Sequence, residues 1–299
     1  MLRESLELLL PGRERTSGAT IVDATFGAGG HTKEVLARLD GGRVIALDAD
    51  PAAVERAREL GRQSGGRVIA VHANFADLAG VLEGIGVDEV DGILYDLGLS
   101  SLQLADAARG FSFAGNEPLD MRLDPDSGDP TAADLLNTLT ERELADLIFE
   151  SGDERHARRI ARQIVTRRTR SPLRTTSDLV AAVLSAQPRE AKRTQIHPAT
   201  RTFQALRMAV NRELERLERS LEAALPRLRP HARAVVISFH SGEDRTVKRT
   251  FKGWERDGRA EILTPKPLVP SGAETSGNPR SRSAKLRAAA KLAEDPSWR

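Results

Sequence analysis

Residues 20–96 alternate between short apolar runs and segments with helical spacing, and few folds accommodate this pattern. Apolar runs typical of buried strands lie at residues 20–26, 43–48, 68–72 and 92–96. Helical spacing follows the first two runs, and Pro51 stands where a second helix would begin. Strands that alternate with helices form a parallel sheet with right-handed crossovers. The sequence therefore predicts an α/β fold.

The alternation stops near residue 105. Residues 106–130 are rich in Asp, Gly and Pro and predict a loop. Helices follow, the first of them behind a capping box formed by Thr140 and Glu143. We expect one α/β domain, built from residues 1–105 and 205–299, that is interrupted by a helical domain at residues 106–204.

The last third is predicted to hold one long amphipathic helix from about Ala199 to Pro226 and a strand at residues 232–239. Residues 261–263 are a weaker strand candidate. Residues 270–284 are rich in Ser, Gly and Pro, and we expect a mobile loop there.

A glycine-rich loop follows the first predicted strand. Gly27, Gly29 and Gly30 stand between that strand and a helix, where glycines let the backbone approach a ligand and the helix N-terminus offers free N–H donors. Asp48 ends the second strand, where a carboxylate can accept hydrogen bonds from both hydroxyls of a ribose. Together these residues predict a site for a cofactor that contains a nucleoside.

The spacing of the loop narrows the choice of cofactor. The dinucleotide fingerprint needs a third glycine, but His31 and Thr32 follow Gly30. The Gly-Lys-Ser/Thr ending of a phosphate-binding P-loop is also absent. S-adenosylmethionine, which carries no phosphate, is the cofactor that remains.

Six ordered blocks resemble the RsmH family, also called MraW, of bacterial 16S ribosomal RNA cytosine-N4 methyltransferases. The blocks are DATFGAGGH at 23–31, DGILYDLGLSS at 91–101, RGFSF at 109–113, PLDMR at 118–122, HPATRTFQALR at 197–207 and ISFHSGEDR at 237–245. The resemblance implies a Rossmann-like class I methyltransferase domain with an inserted all-helical domain. Two departures are Gly242, where the family usually has Leu, and the lack of the His-x-Pro-Val segment with which the family usually begins. We expect a shortened or misassigned start.

The resemblance also implies which residues contact S-adenosylmethionine. It places Gly29, Gly30 and His31 at the methionine part, Asp48 at the ribose, Phe75 at the adenine, and Asp96 and Gln103 by the donor and target end. The implied substrate is a cytidine in the decoding region of 16S ribosomal RNA, within the small ribosomal subunit.

The reaction suggests a role for Asp96. The N4 lone pair of cytosine is delocalised into the ring, so an acceptor for the N4–H hydrogens helps the nitrogen become nucleophilic, and alignment with the methyl group adds a proximity effect. We therefore hypothesise that Asp96 is catalytic, orienting N4 or the cofactor amine. Tyr95 is expected in the core, and no metal site is predicted. His240 and Ser241 lack the Gly-x-Ser-x-Gly context of a hydrolase nucleophile.

Charge is distributed unevenly along the 299 residues, although the net charge is only +2. Residues 71–150 hold 3 Lys/Arg against 17 Asp/Glu, whereas residues 151–210 hold 13 against 4. A target base must be unstacked to reach a buried methyl donor, which requires contacts to the RNA backbone. We expect phosphate contacts from an arginine cluster in the helical insertion: Arg155, Arg158, Arg159, Arg162, Arg167 and Arg168, extended by Arg170 and Arg174.

Composition excludes several other classes of protein. Without cysteine, the chain has no disulfide, thiolate metal site or cysteine nucleophile. It has no apolar run long enough to span a bilayer and no signal peptide, so we expect a cytoplasmic protein with no membrane partner. Three alternatives stay open: an amino-methyltransferase acting on tRNA or DNA, a nicotinamide oxidoreductase and a non-catalytic RNA-binding assembly factor.

Overall fold

The computed structural model describes residues 1–12, 17–113, 115–187 and 197–293. The chain divides into two compact units: Met1–Gly98 with Leu214–Arg299, and Leu99–Glu213. The boundaries predicted from the sequence lie at residues 105/106 and 204/205. Residues 99–105 and 205–213 therefore lie in the second unit, not in the α/β domain to which they were assigned.

The first unit contains a mixed sheet of seven strands within the described part of the chain. They are β1 (Thr20–Asp23), β2 (Arg43–Asp48), β3 (Val68–His72), β4 (Val90–Asp96), β5 (Leu228–Ser238), β6 (Ala260–Ile262) and β7 (Lys285–Lys291). Their order is β3-β2-β1-β4-β5-β7-β6, and β7 runs antiparallel to both of its neighbours. This is a Rossmann-like, class I methyltransferase sheet, so the predicted fold class is confirmed.

The strand order creates a crevice at one edge of the sheet. β1 pairs with β2 on one side and with β4 on the other, so the crossover direction reverses between them. In open α/β sheets, ligands bind outside the carboxyl ends of the strands at such a switch point. The ends of β1, β2 and β4 are therefore where a ligand site is expected.

Helices cover both faces of this sheet. In chain order they are α1 (Leu2–Leu9), α2 (Gly30–Arg38), α3 (Pro51–Gln63), α4 (Leu78–Gly84), α11 (Glu213–Arg227) and α12 (Ser241–Arg256), and a further helix, α13 (Gly272–Gly277), has no buried residue. Ile21 and Val44 pack with α1, α2 and α3 on one face, whereas their neighbours Val22 and Ile45 pack with α4, α11 and α12 on the other. Because successive strand residues point to opposite faces, strands buried on both sides must be almost wholly apolar.

The second unit is helical. Its helices are α5 (Ser101–Ala105), α6 (Ala132–Thr138), α7 (Glu141–Gly152), α8 (Ala157–Arg168), α9 (Thr176–Ala186) and α10 (Thr200–Val210). The predicted capping box of Thr140 and Glu143 begins α7. The loop predicted at residues 106–130 contains no helix or strand in its described part. Among all the described helices, none combines the length and apolar character needed to cross a membrane.

The prediction of one long helix over residues 199–226 is wrong. The chain breaks between α10 and α11, where Arg212 adopts a left-handed φ of 47°. The amide of Asn211 donates to the carbonyls of Met121 and Arg207, and its oxygen accepts from the N–H of Leu123. These hydrogen bonds fix the break, because Asn211 satisfies the loop backbone instead of continuing the helix.

Other elements also differ from the sequence prediction. Residues 270–284 hold α13 and a short 3₁₀ helix, Pro279–Ser283, in place of the expected mobile loop. Strand β7 and helix α1 were not predicted. The β7 sequence is rich in Ala and Lys, which favour helix in isolation. It becomes a strand because β5 and β6 hydrogen-bond to its two edges.

Candidate cofactor site

The glycine loop turns sharply between β1 and α2. Gly27 and Gly29 have left-handed φ angles of 53° and 78°, and a Cβ atom on Gly29 would lie 2.6 Å from the ring of Phe26. Gly29 is the N-cap of α2 and supplies no side-chain cap. The first N–H groups of α2 can therefore bind a polar ligand, as they do at other helix N-termini that follow glycine loops.

Asp48 ties the end of β2 to the glycine loop. Its Oδ2 accepts from the N–H of Gly27 at 2.7 Å, and its Oδ1 accepts from the N–H of Asp50 at 2.9 Å. Burial raises the pKa of the Asp48 carboxyl to about 6. Because an ionised carboxylate has about four acceptor positions, it can hold the loop and still accept from ribose hydroxyls.

Asp23, at the end of β1, was not assigned a role from the sequence. Its side chain is only 1% exposed, accepts from the hydroxyl of Thr32 at 2.6 Å, and has its pKa raised to about 6 by burial. The hydroxyl of Thr25 accepts from the N–H of Asp96 at 2.6 Å, which joins the ends of β1 and β4. The sequence signal was a carboxylate directly before the glycine loop, inside a block already quoted for the family.

Asp96 lies beside His31 at the end of β4. The Oδ2 of Asp96 is 3.4 Å from the Nδ1 of His31. Burial raises the pKa of Asp96 to about 6, although His31 partly opposes this shift, and burial lowers the pKa of His31. The Nε2 of His31 is buried and has no hydrogen-bond partner in the described chain. A buried polar atom without a partner fits a site that a polar ligand completes.

Phe75 follows β3 at the same edge of the sheet. It is half-buried, and its ring meets that of Tyr95 edge-on with the ring centres 6.0 Å apart. Tyr95 is fully buried and shares a hydrogen bond with the hydroxyl of Ser220, so its predicted place in the core is confirmed. The sheet edge thus places Phe75 near the end of β2 that carries Asp48, and its expected contact with adenine stays a prediction.

Gln103 lies in the second unit, where it caps α5. Its Oε1 accepts from the N–H of Ser100, and its own N–H donates to the Ser100 hydroxyl. The side chain is buried, with 6% exposed. The structure gives Gln103 a capping role, and its expected contact with the cofactor stays a prediction.

The arginine cluster contains two different kinds of residue. Arg155, Arg158, Arg159 and Arg162 are exposed, and Arg155 precedes α8 instead of belonging to it. Arg167 and Arg168 are half-buried and donate to backbone carbonyls of Ala181 and Leu136. Long basic side chains often satisfy carbonyls near helix ends in this way. The last two arginines therefore act first as structural donors.

His240 serves as the N-cap of α12. Its Nδ1 accepts from the N–H of Glu243, while the Glu243 carboxylate accepts from the N–H of His240 at 3.3 Å and from that of Phe239 at 2.7 Å. This reciprocal arrangement is a capping box, with His in the position usually taken by Ser or Thr. It explains why the ISFHSGEDR block holds these residues together without a hydrolytic triad.

The geometry combines one buried carboxylate, Asp23, two partly buried ones, Asp48 and Asp96, a glycine loop with open N–H donors and an adjacent aromatic ring. The model of the MraW methylase family matches residues 1–292. The chain belongs to this family. The family uses S-adenosylmethionine, so the expected cofactor is confirmed, and the oxidoreductase alternative no longer holds.

Curated relatives of this methylase extend over nearly the whole chain. A protein named ribosomal RNA small subunit methyltransferase H from Thermomicrobium roseum is 48% identical, covering 99% of this chain and 93% of its own. Proteins of the same name from Geobacter sulfurreducens and Pelobacter propionicus are 49% and 46% identical, each with 98% of this chain and 97% of the relative covered.

Proposed function

We propose that this methylase transfers a methyl group to the exocyclic N4 of a cytidine in the decoding region of small-subunit ribosomal RNA. The observation that carries the proposal is the crevice at the ends of β1, β2 and β4, where Asp23, Asp48 and Asp96 surround a glycine loop. The names of the relatives support the ribosomal substrate.

Different residues of the chain bind different parts of the cofactor. Asp48 accepts from the ribose hydroxyls while it holds Gly27 in place. The first N–H groups of α2, at Gly30 and His31, together with the unpartnered Nε2 of His31, face the methionine part. Phe75 lies against the adenine. S-adenosylmethionine supplies an electrophilic methyl group on a positively charged sulfur.

Asp96 is the residue proposed to act on the target amine. With a pKa of about 6, its carboxyl is mostly ionised at pH 7 and can accept a hydrogen bond from N4–H. Accepting this bond favours a tetrahedral nitrogen whose lone pair points at the methyl group. The Asp96 side chain keeps 34% of its surface exposed, so a target amine can reach it.

Exposed arginines of the helical unit are proposed to contact the RNA backbone. Arg155, Arg158 and Arg159 have no ion pair or hydrogen bond from their side chains within the described residues, whereas Arg162 lies 3.4 Å from Glu141. Unpaired guanidinium groups on a surface attract phosphate, and such contacts weaken as salt rises.

The test is methylation of small ribosomal subunits with labelled S-adenosylmethionine, followed by analysis of the digested nucleosides. We expect label in N4-methylcytidine, and we expect Asp96→Asn to reduce it strongly. Glu34→Gln is the matched control, because Glu34 is an exposed carboxylate on α2 that pairs with Arg38. Label in another base, or labelling of tRNA or DNA instead, would contradict the proposal.

A further inference from the structure

Helix α12 carries a row of cations that the sequence analysis did not single out. Arg245, Lys248, Arg249 and Lys252 stand at i, i+3, i+4 and i+7, which places them on one helix face. All four are exposed. Across the part of the chain that the structure describes, none of the four side chains has a hydrogen bond or an ion pair.

Two of the three acidic residues of α12 are turned toward the protein, whereas the third, Glu255, is exposed and has no ion pair among the described residues. Glu243 is buried in the capping box, and Asp244 accepts from the Nε of Arg287 at 2.7 Å and from the Nζ of Lys285 at 3.0 Å. The apolar residues Val247 and Phe251 pack into the core. The exposed face therefore keeps a net positive charge, and none of its four cations pairs with an acidic side chain in the described residues.

In helix α3 of the same unit, exposed basic side chains pair instead with acidic side chains of the same helix. Its exposed Arg58 lies 3.2 Å from Glu55, and its exposed Arg62 lies 2.6 Å from Glu59. Opposite charges at such spacing stabilise a helix slightly, while like charges destabilise it by a similar amount. A row of like charges without counterions is thus unfavourable for the helix alone and indicates an external polyanion.

The position of α12 links this row to the candidate site. The helix begins at Ser241, just after β5, and the carbonyl of Ile237 in β5 accepts from the N–H of Leu97 next to Asp96. From Arg245 to Lys252 the row extends about 10 Å along the helix axis. One strand of a duplex carries about three phosphates over that length.

We propose that this basic face of α12 is a second ribosomal RNA contact surface, one that binds phosphates beside the methyl-transfer site from the methyltransferase unit itself. This inference rests on the proposed function, because the polyanion is taken to be the RNA substrate. The partner bound here is a phosphate backbone, because its regularly spaced single negative charges complement the row of four unpaired cations.

The test compares two double variants of the full chain that change the charge equally: Lys248→Gln with Lys252→Gln on α12, and Arg58→Gln with Arg62→Gln on α3. Binding to small ribosomal subunits is measured from about 50 to 200 mM salt. The α12 variant should bind at least about tenfold more weakly at 100 mM salt, and its salt-dependence slope should fall by about 1.5. The α3 variant should match the wild type.

Two further measurements separate the possible failures. Both variants should retain wild-type thermal stability and affinity for S-adenosylmethionine, since all four side chains are exposed. If the α12 variant bound subunits with wild-type affinity and a wild-type salt-dependence slope, the second contact surface would be refuted and the proposed function would not be affected. Binding of an acidic protein to this face would likewise count against an RNA contact there. Wild-type protein that neither bound nor methylated subunits would overturn the proposed function as well.

Discussion

Three carboxyl groups, Asp23, Asp48 and Asp96, end neighbouring strands of the sheet, and burial raises the pKa of each to about 6. Their charges also interact, because Asp23 raises the pKa of both of the others. A cofactor with a positive sulfonium and a positive ammonium group compensates this negative charge. Methyl transfer removes the sulfonium charge, so the same carboxylates should bind the demethylated product less strongly.

Asp23 should make the unliganded protein less stable as the pH rises. Its folded pKa of about 6 exceeds the ordinary value of 3.8, so the folded state binds the proton more tightly, and this stabilisation is lost between about pH 4 and pH 6. Relative to wild type, Asp23→Asn should gain roughly up to 3 kcal/mol of unfolding free energy over that range. Urea unfolding at pH 4–7 measures the difference, and a pH-independent difference would refute this account.

Asp96→Asn keeps the shape of the side chain and removes its charge. A hydrogen bond to a charged group contributes about 1.5–3 kcal/mol, so affinity for S-adenosylmethionine, turnover or both should fall at least about tenfold at pH 7. Calorimetric titration measures the first and single-turnover methylation the second. A loss confined to turnover assigns Asp96 to the target amine, and a loss confined to affinity assigns it to the cofactor. Wild-type values for both would end its proposed role.

At the level of the elements, the glycine loop provides a matched pair of substitutions. Gly29→Ala places a Cβ atom 2.6 Å from the Phe26 ring at a left-handed φ of 78°, whereas Gly30→Ala meets nothing within 4 Å. We expect Gly29→Ala to lower the unfolding free energy by about 1–3 kcal/mol and to weaken cofactor binding. Gly30→Ala should leave stability unchanged or slightly higher in the helix. Equal stability of the two variants would show that the loop tolerates a side chain at Gly29.

The elements that sequence predicts well are those whose local pattern and tertiary setting agree. β2 and β3 were predicted with their observed bounds, because apolar, β-branched residues fit a buried strand both in isolation and in the sheet. β7 was missed because its Ala and Lys residues become a strand only through pairing with neighbours. The break at Asn211 depends on the carbonyl of Met121 and the N–H of Leu123, which lie 90 and 88 positions away and which no local pattern encodes.

The candidate site shows the same limit. The motif residues Gly29, His31, Asp48 and Asp96 could be chosen from sequence because strand ends and glycine loops meet at one edge of a parallel sheet. Asp23 stands in the quoted DATFGAGGH block, but its role was not assigned from the sequence, since that role comes from complete burial and a hydrogen bond to Thr32. Spacing also could not separate exposed arginines from arginines that donate to helix carbonyls.

For the whole molecule, the near-neutral net charge hides basic surfaces on both units. In the helical unit, Arg158 and Arg159 are exposed, whereas Arg168 donates to the carbonyl of Leu136 at 2.7 Å. In the methyltransferase unit, the cations of α12 are exposed and unpaired. A long RNA can contact both, and each contact should add its own share to the salt dependence of binding.

This difference between arginines gives a prediction that separates RNA binding from folding. Arg158→Gln with Arg159→Gln should weaken binding to small ribosomal subunits and lower the salt slope by about 1.5, with no change in unfolding free energy. Arg168→Gln should instead lower the unfolding free energy by about 1 kcal/mol, because the carbonyl of Leu136 loses its donor, and should leave the slope unchanged. Filter binding at several salt concentrations and urea unfolding provide the two readouts. If Arg168→Gln lowered the slope and the double variant did not, the half-buried arginines, not the exposed ones, would be the RNA contacts.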